Sequence, residues 1–287
     1  RTEFLYMESE HMPTEDEQFA AYRKVLANAM GNPVTLRTLD IGGDKTLRYL
    51  VLPKEDNPFL GNRALRLCLD LPDMFKTQLR AALRASAFGP MQIMFPMVGT
   101  IDDVRAGNVA VAEVKAELRA EGIPFDEKIN VGIMIEIPSI AMIADLAAKE
   151  TDFASVGTND LTQYLHAVDR MNPKITSYYQ SSSPAMFRIL GKIFKEYNDA
   201  GKPVSVCGEL AGEPLAAIVL FGLGLRKFSM NASNIAHVKR TLSLFTLAET
   251  EEIAEKVKNM DTQAEVEAYL KAEVAKRELK QTANVKK

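Results

Sequence analysis

The sequence contains no tryptophan, only two cysteines and no apolar run long enough to cross a bilayer. Its longest apolar stretch, residues 215–225, is interrupted by Gly222 and Gly224 and has about half the length that a membrane-spanning helix needs. A chain of 287 residues that is 47% hydrophobic can bury a large core without disulfide bonds, so Cys68 and Cys207 indicate a reducing compartment. We therefore expect a cytoplasmic protein with no membrane partner.

The charge of the chain excludes another class of partner. The formal net charge is −3, and the sequence has no long basic stripe of the kind that neutralises a nucleic-acid backbone. We therefore expect no nucleic acid as a partner. Residues 1–7 show no signal-peptide pattern and resemble a strand already under way, so we expect the chain to be part of a longer protein.

Short segments rich in valine, isoleucine, phenylalanine and methionine alternate with helical patterns along the chain. Six of them are clear: 34–39, 92–97, 131–137, 153–156, 204–207 and 227–230. Two weaker ones cover 4–7 and 64–69. Apolar strands that alternate with helices indicate a parallel sheet covered on its outer face. The pattern predicts an α/β fold, a (β/α)8 TIM-type barrel with additional C-terminal helices, as a single domain over residues 1–287; an open doubly wound sheet is the alternative.

Three helix starts carry a capping-box pattern, in which a hydroxyl and a carboxylate three residues apart satisfy backbone donors of the first turn. These patterns begin at Thr14, Thr246 and Thr262. The last one predicts a helix whose apolar stripe, from Val266 to Val274, packs on the barrel or on a second subunit.

Polar residues at the carboxyl ends of the predicted strands are the candidates for chemistry, because these ends converge on one face of a parallel barrel. Glu136 follows the strand at 131–135, and Asp160 follows the strand at 153–156. Two neighbouring carboxylates suit Mg²⁺, which prefers octahedral oxygen coordination and retains some of its water. For Asp160 the alternative is a helix cap, because it stands just before an apolar helical pattern.

Four arginines form the second group of candidates. They stand at or just after predicted strands or in the loops beyond them: Arg1, Arg37, Arg63 and Arg170. Guanidinium groups bind phosphate and carboxylate oxygens in bidentate fashion, and each charge-assisted hydrogen bond contributes roughly 1.5 to 3 kcal/mol. As a group around one Mg²⁺, they would suit a small anion with phosphate and carboxylate groups. For any one of them alone, a surface or structural role remains the alternative.

Several separated motifs are specific enough to indicate a family. The longest is Gly-Thr-Asn-Asp-Leu-Thr-Gln-Tyr at 157–164, followed by Ala-Val-Asp-Arg at 167–170. Shorter ones stand at 1–5, 40–45, 57–61, 85–87, 94–97 and 207–212. In order, and over nearly the whole chain, they resemble the phosphoenolpyruvate-utilising enzymes, and most closely the Enzyme I family of the phosphoenolpyruvate:sugar phosphotransferase system.

The resemblance implies a role for each candidate residue. Glu136 and Asp160 would bind Mg²⁺ as the cofactor, and Cys207 would be catalytic, as the proton donor to the enolate carbon. Phosphoenolpyruvate would be held by Arg1, Arg37, Arg63, Asn159 and Arg170. The resemblance also implies a (β/α)8 barrel that forms a homodimer and passes phosphate to a histidine on a separate N-terminal domain. That domain would dock the phosphocarrier protein HPr.

The chain itself offers no convincing acceptor for a phosphoryl group. Its three histidines lack the glycine- and hydroxyl-rich setting of the family's phosphohistidine. His11 precedes Pro13 at a helix entry and His237 lies on a helical stretch, so we interpret both as structural or solvated. His166 is close in sequence to the candidate site, and packing is the favoured interpretation for it. We expect the acceptor to lie outside this chain.

The sequence departs from the family pattern at a few positions and leaves two alternatives open. Asn62 stands where the family usually has an aromatic residue, and Leu165 and His166 replace a threonine and an aliphatic residue. One alternative is the equivalent domain of a pyruvate phosphate dikinase or phosphoenolpyruvate synthase, which couples to a nucleotide domain. The other is a regulatory module that binds phosphoenolpyruvate without turnover.

Overall fold

A computed structural model of the chain describes residues 1–43 and 47–285, with side chains as far as residue 279. Asp44 and Lys45, which belong to the motif at 40–45, lie outside the described residues. Among the described helices, none combines the length and the apolar character that crossing a membrane requires.

The chain consists of two compact units. Unit 1 comprises Arg1–Met134 and Glu150–Phe153, and unit 2 comprises Ile135–Lys149 and the chain from Ala154 onward. The single domain over residues 1–287 that the sequence suggests stays a prediction.

Unit 1 alternates strands with helices. Its elements in chain order are α1 (Glu3–Met7), α2 (Glu15–Asn28), β1 (Val34–Arg37), α3 (Leu65–Asp70), α4 (Pro72–Ser86), β2 (Met91–Phe95), α5 (Ile101–Ala120) and β3 (Asn130–Ile135), whose last residue begins unit 2. Its core forms where helices cover the strands; the ring of Phe75 in α4 meets that of Phe95 in β2 edge to face, with centroids 6.0 Å apart.

Unit 2 continues the alternation and ends in helices. Its elements are α6 (Pro138–Met142), α7 (Ala144–Glu150), β4 (Ala154–Gly157), α8 (Thr158–Leu165), α9 (Pro184–Asp199), β5 (Val204–Cys207), α10 (Pro214–Gly222), β6 (Lys227–Phe228), α11 (Ala232–Leu242), α12 (Leu247–Lys258) and α13 (Gln263–Val285). The last helices, α11 to α13, are the additional C-terminal helices that the sequence predicts.

The strands follow one another in the sheet in the order β1-β2-β3-β4-β5-β6. The register is parallel where it is defined, for example from Val34 opposite Met91 to Arg37 opposite Met94, and from Ala154 opposite Val204 to Gly157 opposite Cys207. A doubly wound sheet reverses its strand order at a switch point, whereas this order never reverses. The predicted α/β class with barrel-type winding is therefore confirmed, and the doubly wound alternative is wrong.

The two weaker strand predictions are wrong, because both segments are helical. The segment at 4–7 lies in α1, where Glu3 and Tyr6 are buried one turn apart, and the segment at 64–69 becomes α3. Neither segment contains a β-branched residue, and a short apolar run of leucine and aromatic residues does not distinguish a strand from a buried helical turn. All six clear strand predictions are confirmed, with ends shifted by up to two residues.

The predicted capping boxes at Thr14 and Thr246 are confirmed. In the second box, Glu249 accepts a hydrogen bond from the backbone N–H of Thr246 and another from its hydroxyl. These bonds, with a smaller contribution from Arg277, lower the pKa of Glu249 to about 2. The cap therefore stabilises α12 while this carboxylate is charged.

The start of α13 differs from a complete capping box. The amide of Glu265 donates to the Thr262 hydroxyl at 3.2 Å, but the Glu265 carboxylate accepts from the amide of Asp261 instead of closing back on Thr262. Val266 and Leu270 of the predicted stripe are fully buried. These two residues therefore pack within this chain, whereas Tyr269 and Val274 of the stripe are half-buried.

Candidate functional site

Arg37 ends strand β1 in unit 1, and two carboxylates hold its guanidinium group. Its Nη2 lies 2.5 Å from Glu3 Oε1, and its Nη1 lies 3.5 Å from Asp40 Oδ2. The sulfur of Met134 lies 3.9 Å from the same Nη1. Because Glu3 comes from α1 and Asp40 from the segment after β1, the guanidinium is oriented from two directions.

Arg63 is buried against the same aspartate. Its Nη2 lies 2.9 Å from Oδ1 and 3.2 Å from Oδ2 of Asp40, and its Nε lies 3.3 Å from Oδ1. The ring of Phe59 lies 5.7 Å from the guanidinium carbon, so an aromatic residue accompanies this arginine although position 62 is asparagine. Gly42 has a φ of +107°, and a Cβ there would come within 2.5 Å of Arg63 Cβ. Only glycine allows this close approach.

We call the set Glu3, Arg37, Asp40 and Arg63 the arginine cluster. Glu3, Asp40 and Arg63 are 2 to 3% exposed, and the Arg37 side chain is 13% exposed. Burial of two positive charges is tolerated because two negative charges accompany them. A guanidinium has five N–H donors in a rigid fork, which is the geometry that recognises carboxylate and phosphate. The cluster can therefore present fixed donors to an oxyanion.

Arg1 stands beside this cluster in the chain but is itself exposed. The hydroxyl of Thr2 donates to the carbonyl oxygen of Arg37 at 3.0 Å. The first residues thus lie against the end of β1.

In unit 2 the two candidate metal ligands are both buried carboxylates. Glu136 follows β3 directly and is 1% exposed, and Asp160 lies in the first turn of α8 and is 7% exposed. The helix cap considered for Asp160 does not occur, because the N-cap is Gly157 and makes no side-chain capping bond. The hydroxyl of Thr158 donates instead to the carbonyl of Cys207 at 3.1 Å.

Arg170 lies close to Asp160. Its Nη2 is 3.7 Å from Asp160 Oδ1, and its backbone amide donates to the side chain of Gln163 at 3.0 Å. Gln163, which is 4% exposed, also accepts from the amide of Val168 through its carbonyl. One residue of α8 therefore fixes the loop that carries Arg170.

Asn159 is held by two neighbours. Its side-chain oxygen accepts from the amide of Glu209 at 3.1 Å, and its carbonyl accepts from the hydroxyl of Tyr179 at 3.1 Å. Burial raises the pKa of Tyr179, and the positive charge of Arg170 opposes this shift. Tyr179 therefore stays protonated and serves as a donor near Asn159 and Arg170.

Cys207 ends β5 opposite Gly157 of β4 and is partly exposed. Its sulfur lies 3.5 Å from the carbonyl oxygen of Val156. The next residue, Gly208, has a φ of +108°, and a Cβ there would lie 2.5 Å from the hydroxyl of Thr158. The thiol therefore stands at a tightly packed strand end beside the start of α8.

Cys68, by contrast, is buried in α3 of unit 1. Burial, with a smaller contribution from Asp40, raises the pKa of its thiol to about 12. Cys68 is therefore an inert core residue.

The structure supports the interpretations of the three histidines. His166 has both ring nitrogens within hydrogen-bond distance of partners, the Thr162 carbonyl at 3.1 Å and the Ser183 hydroxyl at 3.0 Å. Ser183 caps α9 by accepting from the amide of Met186, so His166 joins two helices. His11 is exposed and lies near Glu17, and His237 is exposed on α11.

The residues of unit 2 fit the chemistry of a magnesium site. Within the described ranges, no group of three or more His, Cys, Asp or Glu side chains forms a metal cage of its own. Glu136 and Asp160 follow strands that are neighbours in the sheet, and both supply only oxygen. An ion that keeps several waters and takes one or two carboxylates plus substrate oxygens suits this donor set, as Mg²⁺ does. Zinc, which prefers nitrogen and sulfur, does not.

The sequence analysis named the candidate site residues but missed the side chains that hold them in place. Glu3 and Asp40 bind the arginines, Gln163 fixes Arg170, and Tyr179 donates to Asn159. A signal for Glu3 and Asp40 does exist in the sequence: both are acids within the family motifs at 1–5 and 40–45, and each stands a few residues from an arginine. Nothing local in the sequence marks Tyr179.

The strand order defines the class of the fold: an α/β protein with barrel-type winding. Residues 1–246 match the family described as PEP-utilising enzyme, PEP-binding domain. The chain belongs to this family, which confirms the resemblance found in its motifs.

Two phosphoenolpyruvate-protein phosphotransferases agree with this assignment. The phosphoenolpyruvate-protein phosphotransferase of Priestia megaterium is 50% identical over 272 residues, covering 95% of this chain and 48% of that protein. The protein of the same name from Bacillus subtilis (strain 168) is 49% identical over 271 residues, covering 94% and 48%. A solved citrate lyase from Burkholderia xenovorans LB400 is 16% identical with a TM-score of 0.44, covering 94% of this chain and 91% of that one. The chain spans about half the length of the curated relatives it matches.

Proposed function

We propose that this chain binds phosphoenolpyruvate and Mg²⁺ and donates the phosphoryl group to a histidine on another domain of the same protein, which releases pyruvate. The observation that carries the proposal is the arginine cluster, in a chain that belongs to the PEP-utilising family. A buried ion-pair cluster adds little stability compared with an apolar core of the same volume, so its fixed guanidinium geometry points to ligand recognition.

The cluster is suited to the two anionic groups of phosphoenolpyruvate. Arg37 and Arg63 would bind ligand oxygens, and Asp40 keeps both guanidinium groups oriented before the ligand arrives. This orientation reduces the conformational entropy that binding costs. Arg1, Asn159 and Arg170 are proposed to bind the remaining ligand oxygens.

Glu136 and Asp160 would hold the magnesium ion. When bound, Mg²⁺ supplies positive charge against the ligand oxygens. Both carboxylates are buried, so solvent screens their attraction for the ion only a little.

Cys207 is proposed to complete turnover. When the P–O bond breaks, the phosphoryl group goes to the histidine nitrogen and the electron pair stays on the enolate oxygen. The enolate carbon then takes the thiol proton, which yields pyruvate and a thiolate that solvent reprotonates. A thiol has an ordinary pKa of about 8.5 and is mostly protonated at neutral pH, so it can donate.

The partners proposed for the whole protein follow from the division of labour. His166 packs between two helices, and His11 and His237 are exposed and lack the glycine- and hydroxyl-rich surroundings of the family's phosphohistidine. The acceptor histidine is therefore proposed on a separate N-terminal domain, which also docks HPr. The chain is proposed to act as a homodimer in the cytoplasm, as the first step of sugar phosphotransfer. The name of its relatives, phosphoenolpyruvate-protein phosphotransferase, supports this step over a dikinase or synthase reaction.

A calorimetric titration of phosphoenolpyruvate, with and without Mg²⁺, tests the proposal. The expected result is that wild-type binding requires the ion, and that Asp160→Ala binds phosphoenolpyruvate much more weakly even when Mg²⁺ is present. A separately produced N-terminal domain, mixed with this chain, should then become phosphorylated while pyruvate forms. Stable phosphorylation of this chain alone would contradict the proposal, and binding without any pyruvate would favour the regulatory module.

A further inference from the structure

Unit 1 contains a network of four buried polar side chains next to the segments that carry the arginine cluster. It consists of Tyr6 in α1, Gln18 and Tyr22 in α2, and Gln78 in α4. All four are between 0 and 7% exposed. Helix faces at such positions are normally apolar, so polar groups here require an account of their hydrogen bonds.

The hydrogen bonds of these side chains form one continuous relay. The hydroxyls of Tyr6 and Tyr22 both donate to the side-chain oxygen of Gln18, at 3.0 and 2.9 Å. The Gln18 amide donates to the carbonyl of Pro13 at 3.0 Å, and the Gln78 amide donates to the hydroxyl of Tyr22 at 3.3 Å. Burial raises the pKa of both tyrosines, which keeps the two hydroxyls protonated as donors.

One end of the relay fixes the strand end that carries the cluster. The side-chain oxygen of Gln78 accepts from the backbone amide of Leu39 at 2.8 Å. Leu39 lies between Arg37, which ends β1, and Asp40, which binds Arg63. Gln78 therefore determines where this short segment leaves the strand.

The other end of the relay fixes helix α1. Tyr6 lies one turn after Glu3, and the two side chains are buried on the same face of this helix. Glu3 in turn binds Arg37. The relay therefore connects to Arg37 at both of its ends. At one end it holds Leu39, two residues after Arg37, and at the other it holds α1, whose Glu3 binds Arg37.

We propose that Gln78 and Gln18 are positioning residues for the oxyanion-binding arginines Arg37 and Arg63; this role rests on the proposed binding of phosphoenolpyruvate. A satisfied buried polar network specifies one arrangement where apolar packing would allow several. Recognition of phosphate and carboxylate needs that precision, because a misplacement of about 1 Å is enough to weaken a bidentate contact. The relay fixes the position of α1 and of the segment after β1, and these two segments hold the guanidinium groups.

The test uses Gln78→Met, which keeps the volume of the side chain and removes the acceptor for the Leu39 amide. Leu83→Val is the matched control, because Leu83 is fully buried on the same helix and takes no part in the relay. Tyr22→Phe is a milder second variant that interrupts the relay in its middle while Leu39 keeps its partner. The melting temperatures of all three are measured first.

The ligand-independent readout is nuclear magnetic resonance of the full chain. Gln78→Met is expected to shift the guanidinium Nε–Hε resonance of Arg37 and to speed hydrogen exchange at the Leu39 amide by about tenfold or more. Tyr22→Phe should shift the Arg37 resonance in the same direction, and Leu83→Val should leave it unmoved. An Arg37 resonance that stays at its wild-type position in Gln78→Met and Tyr22→Phe would overturn the proposal.

The functional readout is calorimetric affinity for phosphoenolpyruvate. Gln78→Met should bind about tenfold or more weakly, and this loss should become smaller in an Arg37→Lys background, because the glutamine acts in part through that arginine. A loss that persists undiminished in Arg37→Lys would refute the positioning role. Absence of binding in the wild type would refute the proposed function instead, and the resonance of Arg37 would still decide the positioning role.

Discussion

Replacement of Asp40 by asparagine tests whether the arginine cluster is as buried and as coupled as its geometry indicates. Asp40 contacts Arg63 through three N–O distances between 2.9 and 3.3 Å and Arg37 at 3.5 Å. Asp40→Asn removes one of the two negative charges and leaves two guanidinium groups facing one carboxylate. Loss of one partner of a buried ion pair costs about 3 to 5 kcal/mol. Because asparagine keeps one oxygen acceptor, we expect about 3 kcal/mol of lost stability.

The measurement is urea unfolding, with an exposed ion pair as the control. Asp16 lies 2.9 Å from Arg84, the same distance as the shortest Asp40 contact, but its side chain is 84% exposed. Asp16→Asn should therefore cost less than about 1 kcal/mol. Equal losses in Asp40→Asn and Asp16→Asn would refute the reasoning. Added inorganic phosphate should restore part of the loss in Asp40→Asn only, because the uncompensated positive charge attracts an anion.

The metal, the thiol and one helix cap each give a further test. Glu136→Ala should remove the dependence of phosphoenolpyruvate affinity on Mg²⁺, measured by calorimetry. Cys207→Ala should retain binding but slow pyruvate formation by about 10² to 10⁴, the usual cost of a lost acid-base group, whereas Cys68→Ala should change stability only. Glu249→Gln should lower stability at neutral pH and lose this effect as the pH falls from about 5 toward about 2, because the lowered pKa of Glu249 stabilises the fold only while the carboxylate is charged. Since that side chain is 40% exposed, the effect should be about 1 kcal/mol or less.

Each of these tests has an outcome that contradicts it. Unchanged Mg²⁺ dependence in Glu136→Ala would remove that residue from the metal site. Wild-type turnover in Cys207→Ala, with the partner domain present, would mean that another group supplies the proton. Glu252 is an exposed residue of the same helix as Glu249, so a Glu252→Gln variant with the same pH dependence would show that the cap is not responsible.

The strands could be predicted from the sequence where composition and length agreed. The segment at 204–207 alternates Val-Ser-Val-Cys and was predicted to the residue, because β-branched side chains fit the pleated surface. The segments at 4–7 and 64–69 failed because a few apolar residues satisfy a strand and a helical turn equally well. In α1 the burial of Glu3, which binds Arg37, favours the helix, and only the tertiary structure contains that contact.

The sequence by itself determined the family and the positions of six strands, with their ends placed to within two residues. These features are local or motif-based, because alternation, strand composition and the run at 157–164 can be recognised without distant contacts. It also determined which charges are available, although it left their pairing open.

The tertiary structure decided which acid holds which arginine. Asp40 binds Arg63 from 23 positions away and Glu3 binds Arg37 from 34 positions away, so neither pair has a sequence spacing that predicts it. Burial makes these ion pairs necessary for stability, because a charge that is removed from water without an oppositely charged partner at hydrogen-bond distance is strongly unfavourable. For this reason the approximate positions of six strands could be predicted from the sequence, whereas the orientation of the guanidinium groups depended on how the loops and helices pack.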